Sequence, residues 1–364
     1  MMRTIDSDTH FFETVSLWSE YIEPQFRDRV PRLVERGRRL LLDVDGVVYP
    51  TSPTHSGLAS LYHPDGRPTD AVSANQRLSI DGPARLARMD RIGTFVEVIY
   101  PTLGMMGHSA IGDPRLAAAH ARAYNRFAAD FCSADPQRLR AAMIAPLNHP
   151  STAAEEITFA HSLGLGVLLA SFTAPGDRSS SDPALDIVWE TCADLGITVT
   201  FQDSSLAAGP GTTGIGRATT WRLLYLSAHV IEAQLGIADV ILGGVVERFP
   251  RLRIGMQETH LTWIPSWLKL LDERFGKRQP LTMLPSEYFR RQCFACAFPD
   301  EPGVDDYVDA VGVGNLVFAS DWPHRGLMPG ADEDWAVEVM RRRDLTADEA
   351  VAGLWANPQR WLMS

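Results

Sequence analysis

The 364-residue sequence predicts a (β/α)8 TIM barrel, an α/β fold formed by the whole chain, 1–364, as one domain. Three observations carry that prediction. About eight short apolar or β-branched runs recur along the chain, and most follow a stretch with helical spacing. The runs are continuously apolar, as strands of a parallel sheet covered on both faces must be. The length exceeds the ~250 residues of a barrel frame, which leaves room for added loops.

The first run is 4–9 (TIDSDT), with His10 directly after it. Residues 95–101 (FVEVIYP) follow the helix-like DGPARLARMDRIG, and residues 139–147 follow AAHARAYNRFAADFCSADP, whose Ala, Tyr, Phe and Leu recur at helical spacing. Residues 166–172 (GVLLASF) follow a helix whose start is read at Ser151, with Glu155 in its first turns. Residues 197–202 (ITVTFQ) follow a helix that stops at Gly196. Residues 252–258 (LRIGMQE) follow a long helical region over 219–249, and 292–298 and 316–323 complete the series.

Two surpluses stand outside that frame. The stretch 29–81 is read as an insertion after the first strand; it holds two apolar runs around Asp45-Gly46, a hairpin signal. The stretch 204–216 (SSLAAGPGTTGIG) is read as a loop at the active-site end after the fifth strand. An open doubly wound sheet is the competing architecture, but no G-x-G-x-x-G turn follows the first strand.

Composition narrows the class of function. Hydrophobic residues at 45% and charged residues at 22% match a folded globular chain rather than a disordered one. No run approaches ~20 consecutive apolar residues, so no membrane partner is expected. The opening MMRTIDSDTHFFET places acids where a secretory signal needs its apolar centre. A net charge of −11 argues against a nucleic-acid partner, which would need clustered Lys and Arg. Four cysteines (Cys132, Cys192, Cys293, Cys296) make no disulfide framework, and a cytoplasmic location is expected. A closed homodimer or higher homo-oligomer is the default assembly. An acidic globular protein of enzyme size, expected to be soluble and intracellular, remains.

In a barrel the active site lies at the C-terminal strand ends. The first strand ends in Asp8-Thr9-His10, the fifth in Gln202-Asp203, the sixth in Gln257-Glu258-Thr259-His260, and the eighth in Ser320-Asp321-Trp322-Pro323-His324. Asp8 and His10, two apart on a strand, point the same way. Imidazole and carboxylate groups converging on one axis suit a divalent first-row metal such as Zn, Mn or Fe.

These residues carry a resemblance. The opening IDSDTHFFETVSLWSEYIEPQFRDRVPRLV, the block ILGGVVERFPRLRIGMQETHLTWIPSWLKLLDER, the eighth-strand LVFASDWPH and the late NPQRW resemble the amidohydrolase superfamily. The branch is the one that includes aminocarboxymuconate semialdehyde decarboxylase and the resorcylate-type decarboxylases, and the likeness covers almost the whole chain. It implies a metal held by Asp8, His10, Glu258 and Asp321. It also implies Asp321 as proton carrier and His229 near the substrate pocket. Beside the strand ends, His324 is read as a rim group that could assist, and Gln202, His260 and Trp322 as candidate substrate contacts, with a structural role open for His260 and core packing for Trp322. One departure stands out: the fifth strand usually delivers a histidine, and here Gln202 follows Phe201.

The expected chemistry is therefore that of a metal-dependent C–C bond lyase, decarboxylase-like, acting on an unsaturated or aromatic carboxylic acid. A metal-dependent hydrolase of an amide, ester, lactone or C–C bond shares nearly every residue. A metal-free enzyme (cyclisation or isomerisation) or a binding protein on the same barrel follows if Gln202 leaves the metal site incomplete. The remaining histidines (His55, His63, His108, His120, His149, His161) read as solvated or structural. The lone Cys293-x-x-Cys296, without a second pair, reads as core, as do Trp18, Trp263 and Trp267.

Overall fold

A computed structural model describes residues 3–50, 58–106, 110–172, 178–202, 213, 217–275, 281–324 and 334–362. The expected loop 204–216 lies outside the described residues except for Thr213, and His55, His108 and Asp203 also lie outside them. Eleven strands occur among the described residues. In chain order they are β1 (Thr4–His10), β2 (Arg32–Arg36), β3 (Arg39–Val44), β4 (Val47–Tyr49), β5 (Thr94–Tyr100), β6 (Leu139–Met143), β7 (Val167–Ala170), β8 (Thr198–Phe201), β9 (Ile254–Met256), β10 (Cys293–Ala297) and β11 (Leu316–Phe318).

Eight of these, β1 and β5 to β11, form one parallel sheet in sequence order. The sheet closes on itself just beyond β11. Asp321 N donates to Asp8 O (2.9 Å), and His10 N donates to Trp322 O (2.7 Å). Beneath that seam the buried Asp6 carboxylate accepts from both Ser320 N (2.9 Å) and Ser320 Oγ (2.6 Å). The (β/α)8 barrel is thus present, with its first and last strands tied by backbone and side chain alike.

Strand interiors are apolar because helices cover them. Val98, Ile99, Ala141, Leu168, Val199, Ile254, Ala295 and Phe318 are buried in one continuous core. Gly196 ends the helix Asp186–Leu195 in the left-handed conformation, as read from sequence. The helix Pro150–Ser162 begins one residue earlier than expected: Pro150 takes the first helical position, and His149, not Ser151, is its cap residue. The region 219–249 is not one regular helix. It runs Trp221–Tyr225, then a π-helical stretch Leu226–Ile231, then Glu232–Leu242 and Val245–Arg248. Residues 221–242 are long and apolar enough to cross a membrane, unlike the reading from sequence, yet 56% of that window is buried inside the protein.

Within 29–81, β2, β3 and β4 form a three-stranded antiparallel sheet. Its β3–β4 turn is Asp45-Gly46, with φ of 50° and 89°, the positive pair a two-residue hairpin requires. Residues 51–57 of this stretch are outside the description.

Candidate metal centre

The aim of the site residues comes from irregular backbone more than from strand pleat. In β1 the pairing with β5 slips between Asp6 and Thr9, where two residues sit opposite one. Asp8 and His10 then share one side, with His10 Nε2 3.1 Å from Asp8 Oδ1. The sixth and eighth strands end earlier than expected, at Met256 and Phe318. Glu258, His260 and Asp321 all have positive φ (53°, 59° and 53°). Such left-handed conformations are uncommon for residues other than glycine and cluster at functional sites.

These turns gather His10, Glu258, Asp321 and His324, one ligand atom from each lying within 4.8 Å of the others. Asp8 lies beside them against His10, and Gln202 bridges: its Nε2 donates to Asp8 Oδ2 (3.0 Å) and lies 3.3 Å from His10 Nε2. Asp321 Oδ1 is 3.3 Å from His10 Nε2 and 3.3 Å from His324 Nδ1.

The partners of the outer nitrogens fix both tautomers. A carbonyl oxygen only accepts, so His10 Nδ1–H donates to Pro101 O (3.2 Å), which leaves Nε2 bare. Thr102 spends its hydroxyl proton on Phe11 O (2.6 Å), so it accepts from His324 Nε2–H (2.8 Å), leaving Nδ1 bare. The two rings stack with centroids 3.9 Å apart. An imidazole whose far N–H is committed to the protein while its other nitrogen faces carboxylates is the usual arrangement of a metal-binding histidine.

Electrostatics point the same way. Burial, then Asp321 and Glu258, hold the Asp8 carboxyl well above its usual range. Burial, then Asp321, push Glu258 up to about 8. Burial, then His324, hold His10 well below its usual range, and burial also lowers His324. Neutral imidazoles leave the three gathered carboxylates without compensation, a charge arrangement that a bound cation relieves. Asp8 Oδ1 and Gln202 Oε1 are buried with no hydrogen-bond partner among the described residues, two oxygens aimed into the same cluster. The residues present fit a divalent cation.

The other sequence candidates separate. His229, in the π-helical stretch, lies with Nδ1 3.6 Å from Glu258 Oε2 and is pushed down to about 3 by burial and then His260. Single π-turns of this kind recur at functional sites. His260 turns away from Glu258 and gives Nδ1 to both oxygens of Glu301 (3.1 Å each). Trp322, a candidate substrate contact with core packing as its alternative, has its buried ring 4.1 Å from the guanidinium of Arg85 and 4.0 Å from that of Arg88, both of which pair with Glu97. It is a packing residue because two cations already cover its ring. His120, His149 and His161 bond backbone carbonyls, and Cys293 and Cys296 are buried free thiols in β10.

Sequence reasoning missed Thr102, Glu301 and Tyr225. Tyr225 stacks on His229 (4.2 Å between centroids, 23° between planes); its place four residues before His229 on a helical stretch was the available signal. Glu13, also missed, is buried and accepts from Thr102 N, Leu103 N and Gly104 N, so it shapes the turn that presents Pro101 and Thr102 to the two histidines.

The amidohydrolase family model matches residues 5–363. The chain is 22% identical over 292 residues to 2-amino-3-carboxymuconate-6-semialdehyde decarboxylase of Dictyostelium discoideum, covering 78% of this chain and 79% of that one. Among solved structures, an amidohydrolase from Mycobacterium avium subsp. paratuberculosis K-10 aligns with TM-score 0.82 at 22% identity, covering 100% and 98% of the two chains. A 5-carboxyvanillate decarboxylase from Novosphingobium aromaticivorans, bound to manganese and 3-methoxy-4-hydroxy-5-nitrobenzoic acid, aligns with TM-score 0.72 at 17% identity, covering 100% and 97%.

Proposed function

The chain belongs to the amidohydrolase family, and on that premise we propose that it is a divalent-metal-dependent lyase that removes CO2 from an unsaturated or aromatic carboxylic acid. The observation that carries the reading is the pair of bare nitrogens, His10 Nε2 and His324 Nδ1, turned onto the carboxylates of Asp8 and Asp321. The names of the decarboxylases that resemble the chain support the choice of reaction.

His10, Glu258, Asp321 and His324 would hold the cation, with Asp8 beside them, and manganese is the ion of one structural neighbour. When bound, such an ion supplies charge neutralisation and orientation for the substrate's carboxylate. The rest falls to the chain's own groups. Glu258 and Asp321 are hydrogen-bonded to each other; in the metal-free fold burial, then Asp321, holds a proton on Glu258 up to about pH 8. That proton is displaced on cation binding, so Asp321 takes the proton it delivers from solvent before each turnover. In the step proposed, Asp321 delivers a proton to the carbon bearing the carboxylate. The electron pair of the C–CO2 bond then returns to the unsaturated system, and CO2 leaves. His229, neutral and beside Glu258, takes part only as a hydrogen-bonding group at the pocket wall.

The test is CO2 release from a panel of hydroxybenzoic and muconate-type acids by manganese-loaded protein, repeated after chelation. Release that stops on chelation and returns with Mn2+ supports the reading. Incorporation of ¹⁸O from water into the product without CO2 identifies a hydrolase instead, and turnover unaffected by chelation identifies a metal-free enzyme.

A further inference from the structure

The helical run from Trp221 to Leu242 has two unlike faces. Inward, Leu224, Ala228, His229 and Glu232 are buried, and His229 comes within 3.6 Å of Glu258. Outward, Leu223, Leu226, Ile231 and Leu235 are between 38% and 51% exposed. Their spacings along the chain are three, five and four. An α-helix turns a step of five well off one face, but the π-helical stretch Leu226–Ile231, closed by i→i+5 bonds, takes up the extra residue and keeps Ile231 on the stripe. The helix Ile264–Phe275 is held alongside by Trp267 Nε1, which donates to Gln234 O (2.9 Å), and its Leu270 is exposed to a similar degree.

Area and charge narrow what can cover this face. Five large aliphatic side chains exposed to that degree present roughly 400 Å² of apolar surface, the scale of patch that usually has a function. One partner in a standard interface gives up about 800 Å², somewhat more than half of it apolar, so the stripe supplies most of the apolar area a stable pair needs. A chain of net charge −11 repels its own copies over most of its surface. From Leu223 to Leu242 the only acids are Glu232, buried on the inward face, and Asp239, bonded to Ser181 N and Oγ. The same stretch holds no Lys or Arg, the residues by which a surface helix grips anionic lipid. A face without charge is its own complement, as a two-fold contact requires.

We propose that a second copy of this chain docks on this face, the stripe of one copy packing on the stripe of the other in a two-fold dimer. The contact lies on the back of the π-helical stretch whose front carries His229 toward Glu258. It does not depend on which reaction the barrel performs.

Analytical ultracentrifugation of the full chain tests this. The native protein sediments as a dimer. The double variant Leu226→Glu with Leu235→Glu sediments as a monomer, its dissociation constant raised about a hundredfold or more, because each copy would bury unpaired carboxylates. Leu223→Lys with Ile231→Lys does the same, although added lysines lower the net charge and would otherwise favour association. All four positions are exposed, so both variants keep the native circular dichroism. Val337→Glu, at an exposed apolar residue of the helix Trp335–Met340, leaves the dimer intact. A monomeric native chain overturns the proposal, as does a dimer that survives either double variant or is lost in Val337→Glu. Co-sedimentation of the native chain with phosphatidylcholine–phosphatidylglycerol vesicles, abolished in the double variants, also overturns it and assigns the stripe to lipid.

Discussion

The imidazoles of His10 and His324 stack 3.9 Å apart with their planes at 29°, and each has committed its outer N–H to the protein. Stacking of two neutral rings contributes only modestly to such an approach. What they share is the Asp321 carboxylate, 3.3 Å from each ring. The pair is built around a positive charge.

Manganese should therefore stabilise the fold. A ligand that binds only the native state contributes about 2.7 kcal/mol at a free concentration of ~100 times its Kd. The unfolding midpoint in urea is expected to rise with added Mn2+ and to fall back on chelation. An unchanged midpoint across a wide range of metal concentration would argue against the centre.

The pH dependence has a defined sign. Glu258 ionises near 4.5 in the unfolded chain but at about 8 in the metal-free fold, where burial and then Asp321 disfavour its charge. Its contribution to stability is full below about 4.5 and is lost as pH rises through about 8. Metal-free protein should thus lose this contribution progressively between about pH 4.5 and about pH 8. Because the cation displaces the same proton, metal affinity should rise over that interval, with protons released on binding. Calorimetric titration in buffers of different ionisation enthalpy measures both.

Asp321→Asn separates chemistry from folding. Asparagine tolerates the left-handed backbone that residue 321 adopts, so the variant should melt close to the native protein. Turnover should fall by about two orders of magnitude or more if the carboxyl carries the proton. Native-like turnover would remove Asp321 from the step.

Gln202→His should tighten metal retention, because an imidazole nitrogen is a stronger transition-metal ligand than an amide oxygen. Gln202→Leu should weaken it, since the amide no longer steadies Asp8. Metal content after dialysis, read by elemental analysis, ranks the three proteins. Equal retention in all three would place residue 202 outside the ion's reach.

Arg85 ties the site to the scaffold. It pairs with the buried Glu97, donates to His10 O (3.3 Å) and lies over the Trp322 ring. Arg85→Met leaves Glu97 paired with Arg88 alone, so the loss should fall below the about 3–5 kcal/mol typical of a buried charge left with no partner. Chemical denaturation should show a loss below that scale, and combining it with Glu97→Gln should recover part of it.

The barrel was legible because strand and helix periods differ and alternate along the chain. Asp8, His10 and Asp321 were legible because they sit where a barrel puts its chemistry. The roles at the margins were not. Trp322 follows Asp321 in the chain, yet its ring points to Arg85 and Arg88, because the left-handed turn at Asp321 breaks the alternation that would have aimed it at the pocket. The same kind of turn at Glu258 and His260 sends two neighbours to different partners, one to the cluster and one to Glu301. Tyr225 and Glu301 both contact His260, a long-range pairing with no periodic trace in the sequence.

The seam that joins β1 to the segment after β11 has a consequence for biosynthesis. Asp8 and His10 are made some three hundred residues before Asp321 and His324. A nascent chain carries half of its cation cradle, with acidic and imidazole groups facing nothing, until the last strand arrives to zip against the first. Metal capture thereby awaits the joining of β1 to the segment after β11, and a bound ion reports a barrel that has closed.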